Sequence, residues 1–97
     1  MACTLAVARY LNQLNVHRHN RDMDEMKMHK MMYLSQRESL MTVNRSLFDD
    51  SFEAWKFGPV LRVVRNEYKT GHMFNSEYEP LCEQEMDLVK SVFERYD

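Results

Sequence analysis

The apolar positions of this chain recur mostly with the period of an α-helix, in separate stretches joined by polar segments. The first stretch follows Thr4, a residue type that caps helices, and its apolar residues share one face: Ala6, Val7, Tyr10, Leu11 and Leu14. The polar run "NVHRHNRDMD" after it predicts a loop. A last helix is predicted to begin at Pro80, with one apolar face made of Cys82, Met86, Val89, Phe93 and Tyr96.

The second helical stretch, capped by Asp22 or Asp24 and ending near Val43, carries two apolar stripes instead of one. One stripe combines methionines with small serines: Met28, Met31, Met32, Ser35 and Ser39. The other lies roughly opposite: Met26, Tyr33, Leu40 and Met41. A surface helix needs a single apolar stripe, so two stripes predict a central helix with neighbours on both sides. His29 lies off both stripes and is expected to be solvated or to cap.

The stretch from Leu47 to Gly71 predicts a turn, a short extended segment, a corner and a third helix. "SFEAWKF" alternates in the manner of a strand, and Trp55 within it is expected to fill the core at the corner. Pro59 is expected at the first helical position, with Gly58 permitting the corner and Gly71 ending the helix. The expected buried face of this helix is Val60, Leu61, Val64 and Tyr68.

These elements predict a mainly α fold, a compact bundle of about four helices with a short extended or β element around residues 47–57. Ninety-seven residues fit one domain over 1–97, and 44% hydrophobic with 29% charged residues is typical of a globular protein. The two glycines and two prolines favour helices with short connections. The net charge of −2 gives no general attraction to nucleic acid or to anionic membranes. No apolar run is long enough to span a bilayer.

The residues that usually carry chemistry do not form a recognisable constellation. His17 and His19 lack further ligands at metal-binding spacing, so we expect neither a metal nor a cofactor. A cluster of Asp49, Asp50 and Glu53 fits a carboxylate pair and a solvated turn equally well. The two cysteines, Cys3 and Cys82, form no disulfide framework, so we expect reduced thiols, a cytoplasmic protein and a packed Cys82. We therefore do not expect an enzyme.

Two faces are candidate binding surfaces. The apolar face of the last helix still continues near residue 97, which predicts a homodimer or partner interface through Met86, Val89, Phe93 and Tyr96. The outward row of the third helix is a candidate nucleic-acid surface: Arg62, Arg65 and Lys69. Because fifteen acidic residues offset thirteen basic ones, an ordinary solvated row is the favoured interpretation, and nucleic acid is not the expected partner.

Three motifs, in this order, resemble the Panacea domain, a family of SocA-type antitoxins and phage-associated proteins. They are "MKMHKMMYLSQ", "LFDDSFEAWKFGPV" and "RNEYK". The matching positions with a structural character are Met28, Met31, Met32, Tyr33, Glu53, Trp55, Phe57, Gly58 and Pro59. The family has leucines where the helix here has methionines. Its members also continue past the last helix, so this sequence resembles a C-terminally short version, either trimmed or natural.

The resemblance implies a protein-binding module without catalytic residues. Family members resemble antitoxins that neutralise a protein toxin by direct contact, and one branch delivers its toxin to a protease. The leading expectation is therefore an antitoxin in a bacterial or phage toxin–antitoxin system, with a cognate toxin as partner. Two alternatives stay open, a phage-encoded inhibitor of a host defence nuclease and a small nucleic-acid-binding regulator.

Overall fold

The computed structural model describes residues 1–97 as four helices and one β-hairpin. The elements in chain order are α1 (Thr4–His19), α2 (Glu25–Thr42), β1 (Glu53–Trp55), β2 (Gly58–Val60), α3 (Arg62–Thr70) and α4 (Glu83–Tyr96). The predicted mainly α fold with a short extended element is confirmed. None of the four helices combines the length and the hydropathy needed to cross a membrane.

The end of α1 and the start of α4 differ from the sequence prediction. Helix α1 continues through the predicted break as far as His19, because nothing in that run stops a helix and Asn15 is buried within it. The Asn15 amide donates to the Arg21 carbonyl at 2.9 Å, and its oxygen accepts from Lys27 Nζ at 2.9 Å. Helix α4 begins at Glu83 instead of Pro80, where the Glu85 carboxylate accepts the Cys82 N–H at 2.8 Å.

Helix α2 packs against α1, α3, α4 and β2, and one of its two apolar stripes lies in the core. The predicted cap is confirmed: the Asp24 carboxylate accepts the Lys27 N–H at 2.8 Å. The side chains of Met28, Met31 and Met32 are fully buried. Methionine is flexible enough to fill the irregular space between several helices, which explains how these residues serve where leucine is more usual.

The second stripe of α2 is not buried, and here the prediction is wrong. Met26, Tyr33, Leu40 and Met41 all stay substantially exposed, Met26 and Met41 to more than 70%. The physical reason is the placement of the neighbours. Helices α1 and α4 cover the methionine side of α2, and α3 with the hairpin reaches only its flank at His29.

The hairpin pairs Glu53 with Val60 and Trp55 with Gly58 across a two-residue turn. Gly58 has a φ of +121°, which disfavours any residue with a side chain. Pro59 lies in β2 and not at the start of α3, so the predicted helix start is wrong. In a two-stranded ribbon the missing N–H can face outward, so proline there costs no ladder hydrogen bond.

The segment before the hairpin is tied to α2 by the side chain of Gln36. Its oxygen accepts the Leu47 N–H at 2.6 Å and its amide donates to the Phe48 carbonyl at 2.9 Å. The Ala2 N–H donates to the Leu47 carbonyl at 2.9 Å from the other side. Leu47 and Phe48 are therefore buried core residues, and the turn is anchored at both edges.

Helix α4 packs on α1 and α2, which changes the interpretation of its apolar face. Val89 and Phe93 are buried in the core of the chain itself, so they are not available as an interface. Met86 and Tyr96 remain 38% exposed. The predicted interface across this face is thus wrong for its two central residues, because α1 and α2 already cover them.

The carboxylate of Asp97 joins α1, α2 and α4. It accepts from Arg18 at 3.0 Å and from His19 at 2.9 Å, and Lys27 Nζ also contacts it. Burial opposes its ionisation, but the hydrogen bonds from Lys27, Arg18 and His19 outweigh that cost and hold the pKa of Asp97 well below its usual range.

Ser35 and Ser39 provide a matched test of the buried stripe. Ser39 Oγ donates to the Arg45 carbonyl at 2.7 Å, whereas the buried Ser35 Oγ has no partner. We expect Ser39→Ala to lower the free energy of unfolding by about 1 kcal/mol, and Ser35→Ala to leave it unchanged or raise it. Urea denaturation of both variants measures this, and a larger loss for Ser35→Ala would contradict it.

Asp97 predicts a pH dependence of stability. Because its pKa is lowered in the folded state, its contribution is present above about pH 4 and lost as the pH falls further. We expect Asp97→Asn to be less stable than wild type at neutral pH, with a difference that shrinks towards about pH 3. The exposed Asp49, which has no hydrogen-bond partner, supplies the control Asp49→Asn, and urea denaturation across the pH range gives both differences. A difference independent of pH would contradict the assignment.

Candidate functional site

A groove with an aromatic lining lies between the hairpin and the exposed side of α2. Its volume is about 1060 Å³. We call it the aromatic groove and define it by the apolar lining residues that are at least partly exposed: Met26, Tyr33, Trp55, Phe57, Pro59, Val60 and Tyr96. Its most exposed members are Phe57 at 83% and Met26 at 72%. Exposed apolar side chains are thus gathered on one surface, which is typical of a binding site and not of a solvated face.

Trp55 stands at the surface, 41% exposed, and does not fill the core. Its indole N–H donates to Glu53 Oε1 at 2.9 Å, and the Arg65 guanidinium lies 5.3 Å from its ring centroid. Arg62 donates two further hydrogen bonds of 2.9 Å to Glu53. The hydrogen bonds from Arg62 and then Trp55 lower the pKa of Glu53 to about 2. The prediction of a core tryptophan is wrong because the indole N–H finds its partner on the outer side of the hairpin.

His29 lies under the groove and fixes the polar groups that support it. Its Nδ1 accepts the Leu61 N–H at 3.3 Å, so the ring proton sits on Nε2, which donates to Glu25 at 3.0 Å. Glu25 also accepts from Arg65 at 2.9 Å, which links His29 to the cation beneath Trp55. Of the two expected roles of His29, solvated or capping, the solvated one is wrong, because the ring is buried and accepts the N–H of Leu61, the N-cap residue of α3.

The aromatic rings on the α2 side are also held in place. Tyr33 meets Phe52 edge to face with centroids 5.6 Å apart, and Phe52 packs in turn against the buried Phe48. The Tyr96 hydroxyl accepts from Arg37 at 3.3 Å. Both walls of the groove therefore rest on the core, which favours a preformed binding surface.

The predicted basic row on α3 does not form a field of free positive charge. Arg62 pairs with Glu53 and Arg65 pairs with Glu25, while Lys69 is exposed and has no carboxylate partner. Two of the three cations are thus neutralised by neighbours, which weakens the nucleic-acid interpretation.

The other candidate residues are dispersed. The Asp50 carboxylate accepts the Thr4 hydroxyl, Asp49 has no hydrogen-bond partner, and Glu53 lies in the hairpin, so the three carboxylates are not brought together as one group. His17 is exposed and His19 bonds to Asp97. Cys3 and Cys82 are free thiols, and Cys82 is exposed where a packed side chain was expected, because it precedes the first turn of α4. No group of three His, Cys, Asp or Glu side chains is arranged to hold a metal ion.

Some of the groove residues were recognisable in the sequence, although their exposure was not. Met26 and Tyr33 belong to the second stripe of α2, which was interpreted as a second buried face and is a binding-surface candidate instead. Phe57 occupies the turn between β1 and β2, and no periodicity reveals the exposure of such a residue. Trp55 and Phe57 both belong to the family motif, but the predicted core position of Trp55 is wrong.

Comparison with known proteins gives one match. A family model described as "Antitoxin SocA-like, Panacea domain" matches residues 28–97. The matched range starts on the buried methionine stripe of α2 and includes the hairpin, α3 and α4. No curated protein and no solved structure matches the sequence.

The exposure of Trp55 predicts a small effect on stability. We expect Trp55→Ala to lower the free energy of unfolding by about 1 kcal/mol, the scale of a surface cation–π contact with partial burial. The comparison variant Phe48→Ala removes a buried ring and should cost about 3–5 kcal/mol. Thermal and urea unfolding of the two variants measures the difference, and equal losses would show that Trp55 belongs to the core.

Proposed function

The chain belongs to the Antitoxin SocA-like, Panacea domain family, and on that premise we propose that it neutralises a protein toxin by binding it directly through the aromatic groove. Family membership supports a protein partner in general. The exposed cluster of aromatic and methionine side chains is the observation that carries the choice of surface. Aromatic residues and methionine are enriched at the centres of protein interfaces.

The geometry of the groove suits tight capture of a folded partner. Trp55 and Tyr33 are anchored by neighbours on the chain itself, so little side-chain freedom is lost on binding. Phe57 and Met26 project further and can enter pockets on the partner. Neutralisation then follows from occupation of the toxin surface and needs no chemical step by the antitoxin.

The proposal is tested by growth rescue. Each gene that flanks the coding sequence is expressed from an inducible promoter, and a gene whose product stops growth is then co-expressed with this chain. We expect wild type to restore growth. We expect Met26→Asp and Phe57→Asp to lose most of the rescue while staying folded, because both side chains are exposed.

The control is Val16→Asp, which changes a 40% exposed apolar residue of α1 outside the groove and should leave rescue intact. Rescue that survives both groove variants would contradict the choice of surface. Flanking genes without a toxic product, or toxicity that wild type does not relieve, would contradict the antitoxin role. The toxin level in rescued cells separates blocking, which keeps it constant, from delivery to a protease, which lowers it. Inhibition of a host defence nuclease in the same cells would favour the phage-inhibitor alternative.

A further inference from the structure

We propose that the aromatic groove accepts a segment of its protein partner in which acidic side chains alternate with large apolar ones. This inference rests on the proposed function and specifies the chemistry of the partner. The observations that support it are the charged side chains around the groove and its apolar lining.

The cations at the groove divide into paired and free ones. Arg65 and Lys27 are neutralised by Glu25 and Asp97 respectively. Lys30 and Lys56 line the groove and have no carboxylate within salt-bridge distance. Two ammonium groups therefore lie beside exposed apolar side chains and are free to pair with carboxylates of another molecule.

A third free cation stands at the end of the groove. Arg37 donates to the Tyr96 hydroxyl at 3.3 Å and has no carboxylate partner either. Along α2, Lys30 and Arg37 are two turns apart on the exposed side, with Tyr33 between them. Charge and apolar surface thus alternate along this wall, and the partner segment must alternate to match it.

The net charge of the groove lining is positive, whereas the net charge of the whole chain is negative. Its lining has four basic and two acidic side chains, although the chain has a net charge of −2. Both acidic residues are already engaged, Asp24 as the cap of α2 and Glu25 with His29 and Arg65. The charge of this surface is consequently favourable for an acidic partner, in spite of the negative net charge of the chain.

Two other occupants fit the same residues less well. A second copy of the chain would bring two grooves with the same excess of basic side chains together, because a two-fold interface uses the same patch of both subunits. A single-stranded nucleic acid could stack on the exposed rings of Trp55 and Phe57, but the chain's net charge of −2 gives no general attraction to its phosphates.

The test uses short fluorescein-labelled peptides and fluorescence anisotropy. One peptide alternates Glu with Leu and Phe, a second replaces Glu by Lys, and a third replaces the apolar residues by Ser. We expect the first to bind wild type at least about tenfold more tightly than either other peptide. Lys30→Glu combined with Lys56→Glu should weaken that binding by about tenfold or more.

The matched control combines Lys69→Glu with Lys90→Glu, two exposed lysines outside the groove, and should leave binding unchanged. Equal binding of the peptides, equal loss in the control, or tighter binding of an oligo-dT probe would overturn the proposal. So would a wild-type dimer in sedimentation equilibrium that Phe57→Asp dissociates. If the chain relieves toxicity but does not prefer the acidic peptide, only this inference is overturned. If it binds the acidic peptide but does not relieve toxicity, only the antitoxin role is overturned.

Discussion

The imidazole of His29 is buried, and the arrangement of the hairpin depends on it. Its Nδ1 accepts the N–H of Leu61, a fully buried residue whose unpaired donor would cost about 1–3 kcal/mol. Leu61 is the junction between β2 and α3, so this one bond fixes both elements on α2. The other ring nitrogen binds Glu25, which in turn holds Arg65. A single helix position thereby orders three elements.

The exposed position of Trp55 follows from that anchoring. With β2 and α3 held on α2, Arg65 lies where its guanidinium supports the Trp55 ring, and Arg62 can pair with Glu53 across the hairpin. Glu53 then accepts the indole N–H in addition to the two hydrogen bonds from Arg62. The surface also exposes apolar side chains and unpaired lysines. Only another molecule can remove this apolar area from water and neutralise these charges.

Much of the fold followed from periodicity, since the helical faces, the Asp24 cap and the Gly71 end all depend on local sequence. The errors share a cause, because burial is decided by which elements meet. Gly58 and Pro59 are compatible with either a helix start or a hairpin, and only the pairing of β2 with β1 decides between the two structures. His29 looked polar and hence solvated, yet its partner, the Leu61 backbone, lies 32 residues away and leaves no trace in the local pattern. The Trp55 and Phe57 part of the groove was visible as a motif, and its exposure was not.

The two stripes of α2 connect the fold to the proposed function. The inner stripe of methionines is covered by α1 and α4 and forms part of the core. The outer stripe has the same apolar character but is covered only at its edge, where Phe52 meets Tyr33. Exposed apolar surface favours association, and Lys30 and Arg37, which are interleaved with this stripe, place charge beside it. The same interleaved cations are the groups that we propose select an acidic partner, so one stretch of α2 would supply both the apolar and the charged part of the binding surface.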